Sequence, residues 1–390
     1  MIYADHAATT ALCPAAFETM KPWFQDQYGN PSALYRLAHE PRKAVDHARE
    51  MIAVAIGALP EEIFFTSGGT EANNWAIKGT AFQNLGKKCE IVTSSIEHHA
   101  VLNPCAFLTR RGYTIDYLPV NHEGVVYPAT LVDIFAAPPT LVSVMLANNE
   151  IGSIQPIKQL ADIAHQFGSL IHTDAVQAVG HIPIDVNDLG VDMLSASAHK
   201  FNGPKGVGFL FVRKGVELEP LMHGGAQEKQ MRAGTENVAG IVGMAVALEE
   251  HVQNLDAEMA YLNDLRSVFV EALHNSGLDF RLNGAEERIP GSISVSFKGV
   301  EGEMLMNRLD LMGTAVSTGS ACDSMNTVLS HVLRAIRIPA EYAYGTIRIT
   351  LGMDNTREQM LNIVHQLKDI FEKTREFKTL NDRWREKNGV

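Results

Sequence analysis

Several short stretches of this chain carry side chains capable of chemistry. "SASAHKFNGPKGVG" (195–208) places Lys200 just after an apolar run, with Ser197 and His199 beside it. A lysine there is either a solvated loop residue or an amine set to form a Schiff base, which requires a desolvated or cationic setting. The stretch lacks the GxxxxGK[ST] spacing of a P-loop. Ser197 and His199 nevertheless have the groups to reach a phosphate. "HTDAVQ" (172–177) closes another apolar run with Asp174, which reads either as a helix N-cap or as a carboxylate facing a ligand. In "TSGGTEANN" (66–74), Gly68 and Gly69 allow close backbone approach to an anion, and Thr70 adds a hydroxyl at a helix N-terminus. "SSIEHHA" (94–100) offers His98, which could stack on a planar ring, shuttle a proton or be structural; His99 reads as structural. Arg348 in "GTIRITLG" (345–352) is either on an exposed strand face or an anchor for a carboxylate, whose geometry its fork matches. Finally, "STGSACDS" (317–324) sets Cys322 among small residues, not among the larger apolar side chains that pack a buried thiol.

These residues need strand ends and loops to hold them. "EIFFTSGG", "EIVTSSIE", "LVSVMLANN", "SLIHTDAV", "DMLSASAHK" and "GVGFLFVRK" read as short strands bounded by Gly, Asn, Asp or Ser. Between them, "PRKAVDHAREMIAVAIGA", "EANNWAIKGTAFQNLG" and "IKQLADIAHQFG" have helical patterns. The alternation predicts an α/β domain with a mostly parallel sheet, covered on both faces. In such sheets ligands sit beyond the carboxyl ends of the strands, where the polar clusters fall. A long helix follows, from about residue 237 to 277. After it "GSISVSFKG" and "GTIRITLG" alternate as half-buried strands, with helices near 301–312 and 356–374. That reads as a smaller α+β domain. The charged tail "KTLNDRWREKNGV" reads as a fraying end.

A strand-end lysine with an acid at a neighbouring strand end suits pyridoxal phosphate, which needs an amine for its aldehyde and a carboxylate for its pyridinium nitrogen. The chain resembles the cysteine desulfurases of the fold-type I pyridoxal-phosphate enzymes, aminotransferase class V, and within them the nitrogenase- and iron–sulfur-cluster-type group. The likeness runs from "YADHAATT" at residue 3 through "GNPSA", "FTSGGTEANN", "IEHHAVL", "NNEIGSIQPI", "HTDAVQAVG", "SAHKFNGPKG", "RAGTEN" and "STGSAC" to "GTIRITLG". It implies a large pyridoxal-phosphate-binding domain over 15–256 with a mostly parallel seven-stranded sheet, and a small domain formed by 1–14 and 257–390 that carries a mobile Cys322 loop. Lys200 would hold the cofactor, Asp174 pair with its ring nitrogen, Gln177 face its ring hydroxyl and His98 stack on the ring. Gly69, Thr70, Ser197 and His199 would bind its phosphate, with Thr235 reaching the phosphate of the other subunit of a homodimer. Asn149 and Arg348 would hold L-cysteine, Arg348 by the carboxylate. Cys322 would take the sulfur as a persulfide, release L-alanine and pass the sulfur to an acceptor protein in iron–sulfur cluster assembly, transfer-RNA thiolation or a similar route. A free cysteine thiol has a pKa of about 8.5, so Cys322 needs local help to ionise, and His98 is the candidate. The family often has Asn where this chain has His6, and differs at Tyr35, Ala38 and Ala226 as well. The alternatives are a selenocysteine lyase, another cysteine or cystine lyase, a transaminase, or a non-catalytic sulfur carrier. A transaminase has no use for Cys322, and a non-catalytic carrier has none for an intact Lys200.

The bulk numbers set the frame. The chain has 390 residues, 46% hydrophobic and 20% charged, with a net charge of −12. That is an ordinary globular composition with enough apolar surface for a large core, and it disfavours direct nucleic-acid binding. Cys13, Cys89, Cys105 and Cys322 form no CxxC pair, so neither a metal site nor a disulfide framework is expected. The first three read as packing residues. The start lacks a secretory pattern and no apolar run is long enough to span a bilayer, so a cytoplasmic protein with reduced thiols is expected.

Overall fold

The computed structural model describes residues 1–86, 89–134, 138–318 and 329–388, with side chains in the last helix as far as Arg375. Cys322 lies outside the described residues. Twelve strands make three sheets among them: β1 (Ile2–Tyr3), β2 (Ile63–Thr66), β3 (Glu90–Ser94), β4 (Thr114–Leu118), β5 (Leu141–Ser143), β6 (Leu170–Asp174), β7 (Met193–Ser197), β8 (Gly208–Val212), β9 (Phe280–Asn283), β10 (Ser292–Phe297), β11 (Thr314–Ala315) and β12 (Thr346–Thr350). The large sheet runs β2-β8-β7-β6-β5-β3-β4. All its pairings are parallel except those of β8 with β7 and β2. This is the mostly parallel seven-stranded α/β sheet of the fold-type I enzymes.

Strand chemistry explains the sheet. The side chains of β2, β3, β5, β7 and β8 are buried throughout, as expected where helices cover both faces. One core contains Ile52, Ile56, Ile63, Val142, Ile171 and Phe209; another, built on Trp75, Ile91, Leu141, Met193 and Leu210, includes residues of the same strands pointing the other way. The edge strand β4 is only partly buried, with Thr114 and Tyr117 exposed, and its pattern is too mixed to be recognised. Helix His39–Ile56 buries Val45, Ala48, Ile52 and Ile56 at helical spacing. It ends at Gly57, whose φ of 70° is the left-handed cap only glycine adopts readily. Full burial of Ile52 or Ile56 contributes about 1.5–3 kcal/mol each.

The helix Val238–His274 changes core along its length. Its N-terminal part, through Leu248, packs in the first core. Leu262, Leu265, Phe269 and Leu273 pack in a further core with Ile2, Ala4, Val295, Ile347, Ile349 and Leu367. The small sheet β12-β10-β9 is antiparallel. Contrary to expectation, β10 and β12 are buried on both faces, not half-buried. Their polar face is closed by side chains: Asn283 Nδ2 donates to Ser294 and Ser296 Oγ, and Ser296 bonds Thr346. The expected 356–374 helix begins at Arg357 and runs on to Asn388, through the tail read as a fraying end. Among the described residues, no helix is long and apolar enough to cross a membrane.

Candidate active site

The strand ends converge on one cavity of 410 Å³. Gly69 and Thr70 enter it from the start of helix Gly69–Gln83, His98 from the turn after β3, and Asn149 from the loop after β5. Asp174 comes from the end of β6, Ser197 from the end of β7, and His199 and Lys200 from the turn beyond it. Gln177 and Arg348 complete the set. An adjoining cavity of 360 Å³ shares Gly69, Thr70, Ser197 and His199 and adds Ser67, Gly68 and Lys205. Thr235 is exposed and lines neither.

Each polar group has a physical setting. Asp174 is buried, with Val176 N–H on Oδ1 at 3.0 Å and Asn73 Nδ2 on Oδ2 at 2.6 Å. Burial holds its carboxyl above the usual range, against the opposing pull of His98 and these donors. Burial, aided by Lys200 and His99, keeps the His98 imidazole below its ordinary pKa. Its Nδ1 accepts from Ala100 N–H at 3.1 Å, so the neutral ring carries its proton on Nε2. It is therefore a hydrogen-bond donor there and not a fixed positive charge. His199 is pushed down to about 4 by burial and by Lys200 and Lys205, and its Nδ1 lies 3.1 Å from Thr9 Oγ1.

The N-terminal segment supplies what the motifs did not reveal. Lys200 Nζ donates to the carbonyls of Ala7 (2.5 Å) and Ala8 (3.0 Å), and Gln177 Nε2 also donates to Ala7 O. Arg348 NH2 pairs with Asp5 Oδ1 at 2.6 Å and its NH1 donates to Asn149 O at 3.1 Å. Its Nε is buried with no partner among the described residues. The two strand-face alternatives for Arg348 are thus resolved in favour of a buried one, 3% exposed.

Sequence reasoning also missed Asn73 and Glu97. Asn73, within "TSGGTEANN", falls on the buried face of its helix, which the sequence alone does not mark. Glu97 directly precedes His98, and a charge closing an apolar strand was the available signal. It is fully buried; Oε1 accepts from Ser94 Oγ (2.5 Å) and Met145 N–H (2.9 Å). Burial pushes it up to about 8. Cys89 and Cys105 are buried, and Cys105 is pushed up to about 12, which suits packing, not reactivity. Of the departures, Tyr35 is exposed, whereas His6 lies 3.3 Å from Asp354 and edge-on to Tyr3.

The family model described as Aminotransferase class-V matches residues 2–363. The chain belongs to the aminotransferase class-V family. Among relatives of this class-V chain, a cysteine desulfurase IscS of Dictyoglomus turgidum (strain DSM 6724 / Z-1310) is 50% identical over 385 residues, 98% of each chain. Another cysteine desulfurase IscS, from Methanosarcina thermophila, is 45% identical over 380 residues, covering 97% of this chain and 94% of that one. A solved structure titled NifS-like protein superposes on the class-V chain with a TM-score of 0.90 at 39% identity, over 95% of this chain and 99% of that one. A structure titled SspA in complex with cysteine superposes at 0.81 and 37% identity, over 90% and 99%.

Proposed function

We propose that this class-V enzyme is a cysteine desulfurase that uses pyridoxal 5'-phosphate, converts L-cysteine to L-alanine and passes the sulfur through Cys322 to an acceptor protein. The observation that carries the reading is that Lys200, Asp174 and Arg348 line a single cavity.

The residues fit the cofactor. Gly68 holds φ at 144°, and a Cβ on Gly69 would come within 2.4 Å of Val176, so the cradle at this helix N-terminus suits glycine. Its backbone N–H groups, Thr70, Ser197 and His199 would hold the phosphate. Asp174, fixed by Asn73 and Val176, would hold the ring nitrogen, Gln177 the ring hydroxyl, and His98 would stack on the ring. Lys200 would hold the cofactor's aldehyde carbon. When bound, the cofactor supplies an electron sink for the charge left as the substrate loses its α-proton.

The chain's own residues do the rest. Arg348, with its unpartnered Nε, would take the substrate carboxylate, assisted by Asn149. Lys200 Nζ would carry the α-proton. Cys322, as thiolate, would attack the substrate sulfur. The new S–S bond forms as the Cβ–S bond breaks, its electron pair stays with the substrate carbon, and a proton completes alanine. His98 would assist through its Nε2–H.

The same reading divides the chain into a large domain, 15–256, and a small one of 1–14 and 257–390. The change of core between Leu248 and Leu262 supports it, as does the packing of Ile2 and Ala4 with the C-terminal half. It also makes the enzyme a cytoplasmic homodimer in which Thr235 serves the other subunit's phosphate site; its exposure away from its own cavities fits this. The test is incubation with L-cysteine and a thiol reductant, with Cys322→Ala alongside. Equal alanine and sulfide from wild type, and little of either from the variant, are expected. No alanine from cofactor-loaded wild type would overturn the reading.

A further inference from the structure

The turn that carries Lys200 is gripped from a side that the proposed chemistry does not use. Asn202, two residues on, has a left-handed φ of 57°. Its Nδ2 donates to Ala11 O at 2.8 Å, which fixes the amide so that Oδ1 points the other way. His251, on the long helix, meets that Oδ1 with Nε2 at 3.0 Å and meets Glu258 Oε2 with Nδ1 at 2.7 Å. A carboxylate and an amide oxygen both accept, so the ring serves both only with two N–H groups. It then bridges Glu258 and Asn202. Beside it, 5.9 Å between ring centroids, His181 donates from Nε2 to the carbonyl of Lys200 itself at 2.9 Å. Burial, and next the neighbouring His251, push His181 down to about 4, which keeps it a neutral donor; Glu258 and His6 act on it more weakly and in opposite directions.

The position is mechanically informative. His251 and Glu258 lie between Leu248, the last residue of the helix in the first core, and Leu262, the first in the other. The opposite side of the 198–202 turn is laced to the N-terminal segment: Thr10 N donates to His199 O, Asn202 N to Thr10 Oγ1 and Cys13 N to Asn202 O. The main chain under Lys200 is thus tied to the helix that runs through both cores and to the segment whose carbonyls hold Lys200 Nζ.

We propose that His251 is a positioning residue for Lys200, bridging Glu258 to Asn202 and, with His181, fixing the main chain from which the lysine reaches the cofactor. This rests on the reading of Lys200 given above. The test compares His251→Leu, Asn202→Gly, Glu258→Ala and Glu258→Gln as cofactor-loaded proteins. The readouts are the visible absorbance of the bound cofactor across pH, the rate at which apoprotein regains that absorbance, and kcat and KM for L-cysteine. His251→Leu should displace the midpoint of the absorbance titration and lower kcat by about fivefold, the worth of one hydrogen bond, with little change in KM. Asn202→Gly should do the same, since glycine holds a φ of 57° without cost and lacks only the side-chain link. Glu258→Gln should recover most of what Glu258→Ala loses, because its amide can donate to Nδ1 while Nε2–H still serves Asn202. If His251→Leu and Asn202→Gly titrate and regain cofactor as wild type does, the proposal is wrong. Should His251→Leu not fold, Asn202→Gly decides alone. A wild type that binds cofactor but leaves L-cysteine intact would sink the desulfurase reading, while the absorbance comparison would still decide this one.

Discussion

The two walls of the cavity are built differently. The wall of Gly69, Thr70, His98, Asp174, Ser197 and Lys200 is made of the ends of β2, β3, β6 and β7 in one mostly parallel sheet, each residue sitting where its own apolar run stops. The other wall joins Arg348 of β12 to Asp5 and Asn149, and Lys200 Nζ to Ala7 and Ala8. Its contacts link the beginning of the chain to the end of the small sheet, and to the turn after β7. The first wall is a product of local structure on a rigid layer. The second exists only once distant segments have packed, and it is the wall that meets the substrate in the proposed function.

Perturbing each wall separately should break or sharpen this contrast. Lys200→Ala touches both, and should lower turnover by on the order of 10³ or more, measured as alanine released, because among the described residues no other amine lines the cavity to carry the proton. Arg348→Lys acts on the substrate wall alone. It keeps the charge and loses the fork, so KM for L-cysteine should rise by about tenfold or more with a smaller change in kcat, while cofactor affinity holds. Asn73→Ala acts on the cofactor wall alone. It removes a hydrogen bond to a buried carboxylate, worth about 1.5–3 kcal/mol. Cofactor should dissociate faster, read by loss of visible absorbance on dilution, with KM nearly unchanged. An Asn73 variant that changed KM more than cofactor retention would erase the distinction between the walls.

Glu97→Gln gives the smallest effect, and its sign follows from burial. The folded carboxyl sits at about 8, above its unfolded value, so the folded state holds a proton that the unfolded chain releases. Its contribution to stability is complete below the unfolded pKa and is lost as pH rises toward 8. Glutamine presents the same Oε1 acceptor and cannot ionise. The melting temperature of Glu97→Gln relative to wild type should therefore climb between pH 5 and pH 8, by roughly a few degrees, in a calorimetric series. A flat difference would show that Glu97 is not held neutral.

The contrast also accounts for what could be read from the sequence. Lys200, Asp174, His98 and the Gly68-Gly69 turn announce themselves because a polar residue closing a buried strand is conspicuous in one dimension. Asp5, Ala7 and Ala8 carry no such mark; two of them act only through carbonyls, which every residue has. Asn73 hides within a helix, since helical burial depends on which face meets the sheet. Strand β4 escaped because an edge strand has little apolar pattern, and β10 and β12 were misjudged because serine and asparagine can close a face in place of water. Cys322 stood out in the sequence through its small neighbours, yet its role rests on the family likeness and on chemistry to be measured.

That role is the central claim, and one measurement addresses it directly. Cofactor-loaded enzyme would be given L-cysteine for a single turnover without reductant, quenched with a thiol-blocking reagent, digested, and the peptide containing Cys322 weighed beside an assay for alanine. The account predicts one alanine per active site and a gain of one sulfur atom on Cys322, with no gain on the peptides of Cys13, Cys89 or Cys105. Alanine released with Cys322 unmodified and the sulfur found instead as a persulfide on another thiol, or as elemental sulfur, would contradict it.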